Sequence, residues 1–347
     1  MTVAAVESDE VLTRVEGGVG LITLNRPKAI NSLNQTMVDA LTAVLTHWKN
    51  DDAVRAVVLS GAGERGLCAG GDVVAVYESA RKDGVEVRKF WRDEYLLDGQ
   101  IGRLAKPYVS LMDGIVMGGG VGVSAHGSVR VVTETSKVAM PEVGIGFVPD
   151  VGGAFLLSRA PGALGLHAAL TGAPFSGADA IAMGFADHYV PHDELDAFAK
   201  AIVEDGVEGA LAAHAIEPPP SDLVAQRDWI DPCFAGDTVE EIVAALRSHG
   251  GPATDAADLI ATRSPIAVSV ALEAVRRAAK MDTLEEVLVQ DYRVSSAAAR
   301  SHDLVEGIRA QIIDKDRNPK WSPATLAEIT AADVEGYFAP VDDDLKF

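Results

Sequence analysis

The sequence predicts an α/β core over residues 1–220 followed by an all-helical domain over 221–347. Three observations carry that expectation. Short apolar runs closed by glycine or proline alternate with helix-period segments through the first part of the chain. The stretch "EPPPSD" (217–222) then interrupts the pattern. Beyond it, Thr238-x-x-Glu241 and Thr283-x-x-Glu286 fit capping boxes, and no convincing strand appears.

Taken in order, "GLITLN" (20–25) reads as a strand ended by Arg26-Pro27. Asn34 is placed to cap a helix in which Met37, Leu41, Val44, Leu45 and Trp48 recur at helical spacing. "RAVVLSG" (55–61) fits a buried strand, and "AGERGLCAGGD" (62–72) a glycine-rich loop. A helical pattern runs from about Val73 to Ala105, broken near Gly84. "YVSLMDG" (108–114) reads as a third strand, "MGGGVG" leads into a short helix, and "VRVVTE" (129–134) and "KVAM" (137–140) read as two more strands. From 238 to 313 the pattern predicts three or four amphipathic helices, with Pro265 in the first turn of one of them.

Composition narrows the function. The chain has 347 residues, 48% hydrophobic, enough for a large core. Its 51 acidic and 30 basic residues give a net charge of −21, with no Lys/Arg-rich run. That argues against an ordinary duplex-DNA or RNA binder and disfavours an anionic membrane, while a local pocket can still hold an anionic small molecule. Cys68 and Cys233 form no CxxC or zinc spacing and fit reduced thiols in the cytoplasm. "MTVAAVESDE" lacks the basic and apolar regions of a secretory leader, and no run reaches the ~18 apolar residues of a membrane helix.

Two glycine-rich stretches and three acids are the chemical candidates. Gly118-Gly119-Gly120-x-Gly122 can be read as part of a dinucleotide fingerprint, as glycines permitting close packing, or as backbone N–H groups at a helix start aimed at developing negative charge. The first reading expects its acid at the end of the second strand; Glu142, 20 residues past Gly122, lies beyond it. Gly122-Val-Ser124-Ala-His126-Gly127 has one residue too many for a nucleophile elbow. "LCAGGD" is a turn or a loop whose backbone approaches a ligand, and an amide from each loop could build an oxyanion hole. Glu142 and Asp150 lie in the otherwise uncharged "MPEVGIGFVPDVGG" (140–153). Asp150 fits a helix cap as well as a catalytic acid. Glu142 has no basic neighbour in sequence, and an apolar site raises a carboxyl toward the useful acid–base range. Glu94, in "FWRDEYLL", reads on its own as one acid of a solvated helix face.

Together the pieces resemble the crotonase (enoyl-CoA hydratase/isomerase) superfamily. The resemblance rests on Asn25-Arg26-Pro27, Cys68-Ala69-Gly70-Gly71-Asp72, Gly118-Gly119-Gly120 and Met140-Pro141-Glu142, in that order and spacing, and continues through "ADAIAMGFADHYVP" (178–191). "PEVGIGFVPDVGG", "WRDEY" and "IDKDRNPKWSPATL" (313–326) are similar to the 3-hydroxyisobutyryl-CoA hydrolase branch.

The resemblance implies a crotonase-like ββα spiral core with a C-terminal all-helical domain, and a thioester hydrolase of valine catabolism. It implies that Gly71 and Gly119 offer the oxyanion-hole amides, with Gly118 beside them in the substrate site. Ala69 would receive the coenzyme A adenine on its carbonyl, and Lys28 would lie by the nucleotide. Glu142 would be the catalytic glutamate, as general base or as nucleophile. Asp150 would assist it, and Glu94 would face the acyl group. Hydratases of the superfamily carry a second glutamate where this chain has Gly122, which argues against water addition by a two-glutamate route. The alternatives are an enoyl-CoA isomerase or hydratase-like enzyme, and a non-catalytic, RNA-binding relative. No metal or further cofactor is expected, coenzyme A entering as part of the substrate. A homo-oligomer stays open.

Overall fold

In a computed structural model that describes residues 8–347, Gly17 and Gly18 take φ values of 55° and 80° and turn the chain through a tight hairpin. They join β1 (Val11–Glu16) to β2 (Val19–Leu24) in antiparallel register, Glu16 opposite Val19. Residues 1–7, on which much of the expectation of no secretory leader rests, lie outside the described residues. Strand β1 is missing from the sequence reading because it is an edge strand buried only at Val11. Its exposed positions carry no apolar alternation to detect. The Gly-Gly pair was the available signal.

The remaining strands are β3 (Ala56–Gly61), β4 (Tyr108–Met112), β5 (Ile115–Met117), β6 (Val129–Val132), β7 (Lys137–Ala139), β8 (Phe175–Ser176) and β9 (His188–Tyr189). They form a six-stranded sheet in the order β1-β2-β3-β4-β6-β9 and a three-stranded sheet in the order β5-β7-β8. Only β1 pairs antiparallel in the larger sheet; the other pairings are parallel. Parallel strands are covered on both faces, so they read as continuous apolar runs. This is the α/β class that the strand–helix alternation predicts.

The chain packs into two compact units. The first takes residues up to Gly71, Leu96–Val138 and Phe175–Ser221 and holds the six-stranded sheet. Phe198, Ile202 and Ala210 of the helix Leu195–His214 share a core with Val19, Val58, Val109, Leu111 and Val131 of that sheet. The helix Gln35–Lys49 starts where expected, the Asn34 side chain accepting from the Met37 amide.

The second unit takes Asp72–Tyr95, Ala139–Pro174 and Asp222–Phe347. The composition change cuts the chain once near 220, whereas here two earlier segments join the C-terminal helices. The reason is close backbone packing within that unit. A Cβ on Gly146 would strike the Asp303 backbone, and one on Gly307 would strike Ile145. Arg88 pairs with Asp343. Among the described residues no strand falls within 222–347.

Between 238 and 313 there are five α-helices rather than three or four. Gly250 and Gly251, at φ 77° and 60°, separate Val239–His249 from Pro252–Ala261. Both capping boxes form, Glu241 N donating to Thr238 Oγ1 at 3.2 Å and Glu286 N to Thr283 Oγ1 at 3.3 Å. Pro265 occupies the first turn of its helix, with Ser264 as the cap. Among the described residues no helix is long and apolar enough to cross a membrane. Cys68 and Cys233 are buried and not joined in a disulfide.

Candidate active site

In the first unit, the two glycine-rich stretches meet. The Cys68 amide donates to the Ile115 carbonyl at 3.1 Å, and the Met117 amide to the Cys68 carbonyl at 3.0 Å, so β5 runs alongside the Gly66–Cys68 segment. Gly70, at φ 108°, continues this approach: a Cβ there would lie 3.2 Å from Met117 O and 3.7 Å from Gly119 N. Gly118, at φ 49°, turns the chain into the helix Gly119–Ala125. First-turn helix amides have no acceptor within the helix. Among the described residues neither the Gly71 nor the Gly119 amide donates a hydrogen bond.

The fully buried Asn31, at φ 54°, braces the loop by donating through Nδ2 to the carbonyls of Ala62, Gly66 and Leu67. Ala69 N donates to Ile30 O at 2.9 Å, which places Ala69 beside the Pro27–Ala29 turn carrying the exposed Lys28. Arg65 donates to the Pro27 and Lys28 carbonyls at 2.7 and 2.6 Å. The packing reading of the glycines holds for Gly120, where a Cβ would collide with the Cys68 carbonyl. The buried Ser124 donates to Gly120 O at 2.5 Å, an internal helix bond, so it offers no nucleophile.

The three acids gather in the second unit. Pro141 opens a single 3₁₀ turn, Glu142–Ile145, that Gly146 closes at φ 72°. Phe147, five residues past Glu142, stacks on Trp91 at 5.0 Å, beside Glu94 on the helix Val85–Gly102. Glu94, Glu142 and Asp150 are 2%, 6% and 4% exposed. Glu94 is therefore not on a solvated face, as its neighbours in sequence suggest. Asp150 is not a helix cap either: Gly152 occupies that position before Gly153–Leu157, with no side-chain bond. The Asp150 side chain instead accepts from the Tyr95 hydroxyl at 2.5 Å.

Burying several carboxyls together disfavours their charged forms. Burial first, and then the Asp150 charge, hold Glu94 and Glu142 well above the ordinary carboxyl range. Burial pushes Asp150 up to about 7, opposed by the Tyr95 hydroxyl and by a backbone amide. Among the described residues, Oε1 of Glu94 and Oε2 of Glu142 are buried without a hydrogen-bond partner. Such oxygens are costly unless a ligand or a proton meets them.

Three neighbours of this cluster escaped the sequence reading. Tyr95 touches Ser295 Oγ at 2.7 Å as well as Asp150. Asp291, 2% exposed, accepts from the Gly152 amide at 2.8 Å. Asp291 and Ser295 lie four apart on Leu284–Ala298, among buried apolar residues such as Leu288 and Val294. Polar side chains on the apolar stripe of a helix were the signal available. Among the described residues, no cluster of three or more His, Cys, Asp or Glu is arranged to hold a metal.

The enoyl-CoA hydratase/isomerase family matches residues 19–338. The 3-hydroxyisobutyryl-CoA hydrolases, mitochondrial, of Danio rerio and Homo sapiens are 40% and 38% identical, over 97% and 98% of this chain and 91% of each of theirs. A solved structure named carnitinyl-CoA dehydratase, from Mycobacterium thermoresistibile, is 70% identical with a TM-score of 0.96, over 98% of this chain and 99% of that one. An enoyl-CoA hydratase from Rhodobacter sphaeroides is 40% identical with a TM-score of 0.91, over 96% and 98% of the two chains. With its glycine loops, its Met140-Pro141-Glu142 turn and these likenesses along nearly its whole length, the chain belongs to the enoyl-CoA hydratase/isomerase family.

Proposed function

We propose that this protein hydrolyses a short 3-hydroxyacyl thioester of coenzyme A, 3-hydroxyisobutyryl-CoA by likeness to the curated relatives. The observation that carries the reading is the buried trio Glu94, Glu142 and Asp150, with two carboxyl oxygens left for a substrate to meet.

In this reading the amides of Gly71 and Gly119 polarise the thioester carbonyl. One such donor contributes about 3 kcal/mol to the transition state. Glu142 and Asp150 repel each other in a dry setting, so ionising one disfavours ionising the other. The ionised member accepts a proton from water attacking the acyl carbon, or Glu142 itself attacks and water then cleaves the anhydride. Either way the acyl C–O bond forms, the C–S bond breaks, and the departing thiolate takes up a proton. Glu94 meets the substrate hydroxyl, which gives the site its acyl preference. Ala69 and Lys28 attend the nucleotide and Gly118 shapes the loop between them and Gly119. Coenzyme A enters as part of the substrate. Two buried thiols without a disulfide favour a reducing compartment, and we place the protein in the cytoplasm.

A dehydratase is the second reading, since the 70% identical solved structure bears that name. It needs a second proton carrier on the acyl chain, and Gly122 offers none. Free-thiol release from 3-hydroxyisobutyryl-CoA, followed beside crotonyl-CoA hydration, decides between them. Thiol release alone supports the hydrolase; hydration alone overturns it.

A further inference from the structure

We propose that Tyr95 and Asp291 are positioning residues, through which the helix Leu284–Ala298 fixes the orientation and charge of Asp150. The proposal rests on the reading of Asp150 as a working acid.

Two contacts a single helical turn apart converge on that acid. Ser295 Oγ stands 2.7 Å from the Tyr95 hydroxyl, which donates to Asp150 Oδ2 at 2.5 Å. With the Tyr95 proton committed to Asp150, Ser295 is the donor to Tyr95. The hydroxyl pair thus points one way, toward the carboxylate. Tyr95 and Ser295 are both fully buried, so no water competes for the phenol. The other contact acts on the backbone. Val151 has φ 50°, a left-handed conformation that a β-branched residue adopts only under constraint. Gly152 follows at φ 72°, and its amide is held by Asp291 Oδ2 at 2.8 Å. The turn that presents Asp150 is therefore strained at Val151 and tied down at Gly152. Backbone strain of this kind collects where a side chain must be aimed.

The groups that face Asp150 are Glu94 and Tyr95 from the helix Val85–Gly102, Glu142 from the 3₁₀ turn, and Asp291 from Leu284–Ala298. All but Tyr95 are carboxyls. Tyr95 is thus the one side chain among them that favours the charged form of Asp150. Removing its hydroxyl raises the Asp150 titration further.

The test compares Tyr95→Phe, Ser295→Ala and Asp291→Asn with the wild type in two ways. One is the rate against pH for whichever thioester reaction the wild type performs; the other is the melting midpoint against pH without substrate. Tyr95→Phe keeps the ring that fills the core. It is expected to lower kcat about tenfold with KM nearly unchanged. It should also move the acidic limb of the rate profile to higher pH and steepen the fall of the midpoint between pH 5 and 8. Ser295→Ala should show the same signs more weakly. Asp291→Asn should lower kcat with a smaller change in the acidic limb. Rate and stability curves that shift in level but stay parallel to the wild type would reduce all three residues to structural parts and overturn the proposal. A wild type that hydrates rather than hydrolyses would instead defeat the hydrolase reading, and the limb shift would still report on Tyr95.

Discussion

Gly120 lies against the carbonyl of Cys68 so closely that a methyl group has no room between them. The contact joins the two glycine loops of the first unit and sets how near Gly70 comes to the Gly119 amide. Gly120→Ala is therefore expected to destabilise the protein by about 1–3 kcal/mol through overpacking. Its thiol-release rate should also fall more than its loss of stability explains. A lowered melting midpoint with unchanged kcat would separate the packing role of Gly120 from any role in aiming Gly119.

Glu142→Gln keeps the shape of the side chain and removes its charge. Turnover should fall by about a thousandfold, within the range for a lost acid–base group. Coenzyme A affinity, measured by calorimetry, should stay within a few-fold. Equal loss of both would point to a folding defect.

Glu94→Gln tests the acyl group. The Glu94 carboxyl is buried, with one oxygen unpartnered among the described residues. The variant should lose about tenfold or more in kcat/KM on a 3-hydroxyacyl thioester, and much less on the analogue without the hydroxyl. Equal loss on both substrates would remove Glu94 from hydroxyl recognition.

Asp150 gives a signed pH effect. Its carboxyl titrates at about 7 in the fold, against an ordinary 3.8, because burial disfavours its charge. The folded chain thus binds that proton more tightly than the unfolded chain does. Stability from this group is full below about pH 4 and is lost as the pH rises through 7. Asp150→Asn should flatten the decline in melting midpoint between pH 5 and 8, with a relative gain on the order of 3 kcal/mol at the upper end. A decline as steep as in the wild type would show that Asp150 titrates elsewhere.

What the sequence made legible was decided within a few residues. The Asn34 cap, the two capping boxes and the Pro265 start each satisfy helix-end amides locally, so short patterns suffice to read them. Glu94 shows the opposite case. Its neighbours Arg92 and Asp93 read as a wet surface, yet the helix buries Trp91, Glu94 and Tyr95 together. Only the likeness of "WRDEY" to a known branch singled it out. Asp291 and Ser295 stayed hidden because their partners, Gly152 and Tyr95, are 139 and 200 residues away. The division into units was likewise beyond a composition change, since segments 72–95 and 139–174 owe their place to backbone packing on helices made much later.

That last arrangement sets the timing of assembly during synthesis. Glu94, Glu142 and Asp150 leave the ribosome well before the helix that anchors Asp150 has been made. At about 5–20 residues per second, the interval between Asp150 and Ser295 is roughly 7–30 s. Through it the nascent chain carries Glu94, Tyr95, Glu142 and Asp150 without Asp291 and Ser295, the partners of Gly152 and Tyr95. A message cut short before Leu284 would thus yield a polypeptide that keeps both glycine loops, Glu94, Glu142 and Asp150 but lacks the Asp291 and Ser295 contacts beside them.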